Sequence, residues 1–240
     1  MTERIIWVDR AGSTQDMVHD LGAEGAPDGT AVVAVEQTAG RGSRGRGWTS
    51  PRGGLWLSVL SRPRTAAPAE ALSVRVALAV ADALEGQALA ADGAPGVQVK
   101  WPNDLFVAGR KIGGILSEAR WQGDRLGWVA IGVGINVSNA LPPELCAGAA
   151  ALDEFAPGVR AGDLAGVVVG AVRTAACIIG PLDQAERERF AARDALAGRR
   201  LSEPAAGTAD GIEPDGALRV RRADGVVDVV RVGPAVILSL

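Results

Sequence analysis

Lysine is almost absent from this 240-residue chain. Only Lys100 and Lys111 occur, against twenty-three arginines, and both fall in one stretch, KWPNDLFVAGRKIGGIL. A bias toward arginine explains the scarcity but not the clustering. An ammonium is a compact charge on a flexible stem and a guanidinium is a planar fork, so the two are not interchangeable at a reacting centre. Cysteine is equally scarce: Cys146 and Cys177 stand in no ligand-like spacing, which predicts two reduced thiols in a cytoplasmic protein. The single histidine, His19, is expected on a helix face and outside catalysis. No G-x-x-x-x-G-K-[ST] run exists, which excludes a Walker A loop. The start, MTERIIWVDRAGST, lacks a long apolar core behind a basic segment, so no signal peptide is expected. The most apolar run, LAGVVVGAVRTAACIIG from Leu164, is interrupted by Arg173 and glycines and is short for a membrane span, so it reads as a buried helix. A net charge of −3 and a pI near 5.3 leave no overall basic field for nucleic acid.

The composition present, 48% hydrophobic and 22% charged, is that of a soluble globular protein with a real core. Its length fits one large domain, or one with a small appendage. RIIWV (4–8) predicts a strand, and AGSTQDMVHDLG offers Ser13 or Thr14 as the cap of a helix with Asp16 in its first turn. TAVVAVEQ from Thr30 and GLWLSVLS from Gly54 predict strands. Apolar residues spaced by four from Ala69 to Leu84 predict a long amphipathic helix. VQVKW, DLFV, KIGGILSEARW and LGWVAIGVGINV predict four successive strands, with turns at Pro102-Asn103, Ala108-Gly109 and Gly123-Asp124. Two helices are expected over Leu164 to Ile179 and Leu182 to Leu196. After Gly198 short β-prone runs (ALRVRR, VVDVVRV, AVILSL) alternate with breakers, the pattern of a small barrel or sandwich too small to be very stable alone. The fold class is therefore α+β, with a first domain over 1–197 and a second over 198–240. The tryptophans Trp7, Trp56, Trp121 and Trp128 are expected in the core or on sheet faces.

Chemistry concentrates in a few segments. GRGSRGRGW (40–48) packs Arg41, Arg44 and Arg46 among four glycines and ends on Trp48. Glycines let a backbone approach a phosphate, guanidinium forks match phosphate or carboxylate oxygens, and an indole offers a stacking face. The same composition suits a solvated RGG-type loop or weak RNA contact. Like charges alone predict that such a loop is mobile until an anion orders it. In KWPND, a turn and a return strand can bring Lys100 and Lys111 toward one site, and Asp104 between them is either a Mg²⁺ ligand serving nucleotide phosphates or a salt-bridge partner. Gly113-Gly114 and the glycines of GVGIN (132–136), which ends on Asn136, suggest a sheet stripped of side chains where something flat or extended lies.

Taken together and in order, GSTQ, EQTAG, GRGSRGRGW, KWPNDLF, RKIGGIL and AIGVGINV resemble the catalytic domain of biotin–protein ligases, and the resemblance covers most of the chain. It implies a mixed β-sheet backed by helices and followed by a small SH3-like β-barrel. It implies an enzyme that makes biotinyl-5′-AMP from biotin and ATP with Mg²⁺, then transfers biotin to one lysine of a biotin carboxyl carrier domain. By position, Ser13, Thr14, Gln15 and Gln37 match the biotin-ring pocket. Arg41, Gly42 and Ser43 match the loop over the biotin tail and phosphate. Lys111 matches the lysine at the carboxylate and reacting phosphate, and with Arg41 is the expected catalytic pair. Gly114 and Gly132 match positions lining the ligand. Arg44, Arg46, Trp48, Lys100, Asn103 and Asn136 are the expected nucleotide contacts, with Asp104 as the metal ligand. Two positions depart from the pattern: the family usually has asparagine at Gln15, and at Ser43 an arginine that helps hold the adenylate. The first strand begins almost at once, so no helix-turn-helix, DNA partner or membrane is expected, and the resemblance allows a homodimer. The competing readings are a lipoate- or octanoyl-transferring enzyme, and a non-catalytic biotin or nucleotide sensor.

Overall fold

A computed structural model describes residues 4–63, 69–91, 93–231 and 233–238. A seven-stranded mixed sheet carries the larger part of the chain. In chain order its strands are β1 (Ile5–Ala11), β2 (Ala31–Gln37), β3 (Leu55–Ser61), β4 (Val97–Lys100), β5 (Asp104–Val107), β6 (Arg110–Gln122) and β7 (Arg125–Ile135). Their spatial order is β1-β2-β3-β7-β6-β5-β4. Only β1 and β2 are parallel, and the other neighbours are antiparallel.

The interior position of β3, between β2 and β7, follows from its sequence. LWLSVLS is buried at every residue, which suits a strand covered on both faces. Leu55, Leu57 and Val59 face the large core formed with helices α2 (Ala69–Gln87) and α3 (Ala161–Ala176). Leu60 faces the opposite layer, where Val18 of helix α1 (Thr14–Ala23) meets Val32, Trp128 and Ala130. The result is helix, sheet, helices, with α1 alone on one side. Ser13 caps α1 by accepting from the Gln15 amide at 3.2 Å. The β5–β6 connection is a two-residue turn in which Ala108 (φ 48°) and Gly109 (φ 77°) are left-handed, as a tight hairpin requires.

Helix α4 (Gln184–Arg193) is shorter than the predicted segment and is closed by a reciprocal box between Asp183 and Glu186. Glu186 also pairs with buried Arg75 of α2, locking the two helices together. Strands β8 (Arg200–Glu203), β9 (Gly207–Ile212), β10 (Leu218–Arg221), β11 (Val227–Val230) and β12 (Val236–Ile237) form a second, antiparallel sheet ordered β11-β10-β9-β8-β12. Its residues Leu201, Ala209, Ile212, Leu218 and Val220 join the same apolar core as α2 and α3. Trp101 ties the two sheets by donating its indole N–H to the Gly216 carbonyl at 2.8 Å. Shared core explains how so short a sheet holds its shape. Val232, Ser239 and Leu240 of the predicted C-terminal strands lie outside the described residues. Among the described residues no helix is long and apolar enough to cross a membrane. Trp56 and Trp128 are buried, whereas Trp7 and Trp121 stand exposed on strand faces.

Candidate active site

The N-terminus of α1, the 40–48 loop, the β5–β6 hairpin and the end of β7 enclose a cleft of about 430 Å³. Its inner end is a polar cluster in which Ser13, Thr14, Gln15 and Ser58 are buried and Gln37 is half-buried. The Thr14 amide donates to Gln37 Oε1 at 2.8 Å, Ser58 Oγ donates to Gln15 Oε1 at 3.0 Å, and Gln15 Nε2 donates to the Ala130 carbonyl at 3.1 Å. Thr14 Oγ1 lies 2.9 Å from Ser58 Oγ and 3.1 Å from Gln37 Oε1. One hydroxyl carries one proton, and Ser58 spends its own on Gln15, so Thr14 bridges to Ser58 or to Gln37 but not fully to both. This cluster is rigid and presents a polar face to whatever enters.

The glycines of β6 and β7 are explained differently from expectation. A Cβ at Gly132 falls 2.7 Å from Gln15 Oε1, one at Gly134 falls 2.9 Å from Trp48 Nε1, and one at Gly114 falls 3.2 Å from Asp104 Oδ1. A Cβ at Gly113 would fall 2.5 Å from the Gly134 carbonyl oxygen of β7. The missing side chains therefore make room first for the protein's own Gln15, Trp48 and Asp104, which in turn line the cleft. The Trp48 indole N–H is buried with no partner, a donor waiting for an acceptor.

The cationic groups sit at the outer end. Lys111 Nζ is 2.6 Å from Asp104 Oδ1 and 5.2 Å from the Trp48 ring centroid. The backbone of Lys111 is pinned by bonds to Gly148 and Ala150, so only its side chain is free to move. Lys100 lies over Phe106 and lines a second cavity of about 430 Å³ that shares Ser43, Arg46, Asn103 and Asp104 with the first. Burial lowers Lys100 below the ordinary lysine value; Asp104 opposes that shift and Lys111 adds to it. The two lysines thus flank one aspartate, as their spacing suggested. Asp104 is committed to Lys111, and among the described residues no three His, Cys, Asp or Glu side chains gather to hold a metal. One carboxylate already paired with an ammonium does not make a resident Mg²⁺ site.

The 40–48 loop is a small hairpin. Arg41 pairs with Gly47, the Gly42 amide bonds the Arg46 carbonyl at 2.8 Å, and left-handed Arg44 (φ 61°) and Gly45 (φ 71°) make the tip. Charge repulsion does not leave it unheld, contrary to expectation, because Arg41 bonds Asp16 at 2.5 Å and Glu118 at 2.6 Å. Arg46 spends its fork on Ser43, and Arg44 turns to the second cavity, so neither replaces an arginine at 43. Asn103 donates to the Ile115 carbonyl and Asn136 accepts from Asn139, so both shape the walls. Of the expected site residues, all but Arg44 and Lys100 line the first cleft, and those two line the second. Sequence reasoning missed Ser58, Asp16, Glu118 and the 144–149 rim. Ser58 had a signal: a hydroxyl in the middle of a strand whose only other polar residue is its last, Ser61.

A mixed sheet thus carries a cleft with a polar inner end, an ammonium at its outer end and an arginine flap, an arrangement suited to an anionic small molecule, with a second cavity alongside. The model described as the Biotin/lipoate A/B protein ligase family matches residues 7–136, and the chain belongs to that family. It is similar to the bifunctional ligase/repressor BirA of Bacillus spizizenii, 41% identical over 152 residues covering 60% of this chain and 45% of that protein. The chain thus spans about half the length of the curated relatives it matches. A structure titled biotin protein ligase from Aquifex aeolicus in complex with biotin and ATP superposes with a TM-score of 0.79 at 25% identity, covering 96% of this chain and 97% of that one. The Leishmania major biotin protein ligase in complex with biotinyl-5-AMP gives 0.68 at 29% identity, covering 96% and 99%.

Proposed function

We propose that this chain activates biotin with ATP and transfers it to a lysine of a biotin carboxyl carrier domain. In the first step a biotin carboxylate oxygen bonds the α-phosphorus, the bond to the bridging oxygen breaks, and pyrophosphate leaves with that electron pair. In the second, the neutral amine of the acceptor lysine attacks the acyl carbon, AMP leaves, and the amine proton passes to solvent. Residues 198–240 act as a barrel unit seated beside the 1–197 catalytic unit.

The observation that carries the reading is Lys111, whose ammonium points into a cleft between a preorganised polar pocket and the flap. Ser13, Thr14, Gln15 and Gln37 hold the biotin ring, with Gly132 giving Gln15 its place. Lys111 moves from Asp104 to the carboxylate and α-phosphate, where a fixed cation offsets like-charge repulsion without acting as a base. Trp48 supplies a face and an indole N–H on the nucleotide side, Arg44, Arg46 and Lys100 face the polyphosphate, and Asn103 and Asn136 hold the walls. Arg41 roots the flap, and the flap shields the mixed anhydride from water. Incubating the protein with biotin, ATP, Mg²⁺ and a carrier domain tests this. Mass spectrometry should show one biotinyl group on the carrier lysine, and an unmodified carrier with no biotinyl-5′-AMP in solution would refute it.

A further inference from the structure

His19 belongs to no part of the mechanism above, yet it is buried and aimed at the root of the flap. Trp128 of β7 donates its indole N–H to His19 Nδ1 at 3.0 Å, so Nδ1 is an acceptor and the ring proton of a neutral imidazole sits on Nε2. His19 Nε2 faces Glu118 Oε2 at 3.5 Å, a charge–dipole contact longer than a good hydrogen bond, and both atoms are buried with no hydrogen-bond partner. The other oxygen of Glu118 receives Arg41 Nη2 at 2.6 Å, and Arg41 Nη1 goes to Asp16. A line of contacts therefore runs from the sheet through α1 and β6 to the first arginine of the flap.

We propose that His19 is a positioning residue: its Nε2–H orients the Glu118 carboxylate, which with Asp16 clamps Arg41 and fixes the base of the 40–48 flap. The inference rests on the flap's role in the reading above for its catalytic consequence, but the clamp itself is a property of the free protein. The charged neighbours define how it responds to acid. Glu118 and Arg120 face His19 from β6, Arg41 from the flap, Asp16 lies one turn earlier on its own helix, and Arg62 stacks behind Trp128 at 5.7 Å. Burial first, and Arg120 next, hold His19 below the ordinary histidine value, so it is neutral at pH 7.5. Protonation below that value places an N–H on Nδ1 against the Trp128 N–H, and the sheet end of the line is lost.

Trypsin reads the clamp without any catalysis, because it cuts after Arg44 and Arg46 only when the hairpin opens. In the ligand-free full-length protein, His19→Leu should speed flap cleavage about threefold, the loss of a buried polar contact to a carboxylate. His19→Gln, whose amide can accept from Trp128 and donate to Glu118, should cut at nearly the parent rate. In a Glu118→Gln background, His19→Leu should add little. As the pH falls below the ordinary histidine value, parent cleavage should rise relative to that of His19→Gln digested at the same pH, a ratio that cancels trypsin's own acid dependence. Should His19→Leu fail to fold, the pH comparison of parent and His19→Gln decides alone. Equal cleavage of parent and His19→Leu, undiminished effect without the Glu118 charge, or a parent-to-His19→Gln ratio that stays constant in acid would each overturn the proposal. A protein that shows the clamp but makes no biotinyl-5′-AMP would overturn the enzyme reading instead.

Discussion

Lys111→Ala removes the one ammonium that the first cleft presents to its contents. A cation about 4 Å from a reacting oxygen contributes on the order of 4 kcal/mol at an effective dielectric near 20. Lys111 is a quarter exposed, so screening trims this toward about 3 kcal/mol, or 10²–10³ in rate. A second penalty comes from Asp104, 2.6 Å from the ammonium in the parent and left as an uncompensated anion in the variant. Adding Asp104→Asn to Lys111→Ala should therefore recover roughly tenfold, whereas Asp104→Asn alone recovers nothing. Lys111→Arg should also fail, since a planar fork cannot occupy the space of a point charge between Asp104 and the Trp48 ring. The assay is biotin-dependent pyrophosphate release, with thermal unfolding as the control. A partly exposed ion pair is worth at most about 1 kcal/mol, so the melting temperature should fall by only a few degrees. Near-normal pyrophosphate release by Lys111→Ala or Lys111→Arg, in a folded protein, would refute the reasoning.

Three other outcomes follow from named contacts. With Ser43 where an arginine is usual and Arg44 turned to the second cavity, the parent should leak free biotinyl-5′-AMP, and Ser43→Arg should cut the leak several-fold by adding a guanidinium to the phosphate; tight retention by the parent contradicts this. Gly134→Ala places a methyl 2.9 Å from Trp48 Nε1, so the indole must shift, and the KM for ATP should rise roughly tenfold with little change for biotin. Asp194 is pushed up to about 6 by burial, so its ionisation opposes folding: the penalty is absent below pH 4, grows between about 4 and 6, and is complete above. Asp194→Asn should stabilise the protein at pH 8, by at most about 3 kcal/mol, and should be neutral at pH 4, as read by melting temperatures at the two values.

Local signals were legible wherever the physics is local. Ser13 capped its helix, the left-handed Ala108-Gly109 pair made its turn, and the buried run of β3 took an interior place in the sheet. The two lysines met across Asp104 because two short turns fold β4, β5 and β6 side by side, with Lys100 opposite Asp104. What stayed hidden depends on contacts distant in sequence. Arg41 meets Glu118 across 77 positions and Trp128 meets His19 across 109, and neither partner carries a local signature of the other. The glycines misled for a related reason: sequence shows that a side chain is missing, but only packing shows that Gln15 and Trp48 fill the space. The flap's arginines looked mutually repulsive because the carboxylates that neutralise Arg41 lie on α1 and β6.

The most direct measurement is a crystal of this protein grown with biotin and a non-hydrolysable ATP analogue. The account predicts Lys111 Nζ released from Asp104 and within about 3 Å of both the biotin carboxylate and an α-phosphate oxygen, with the 40–48 hairpin closed over them. Density showing both ligands in place while Lys111 stays on Asp104, or the hairpin turned outward, would contradict it.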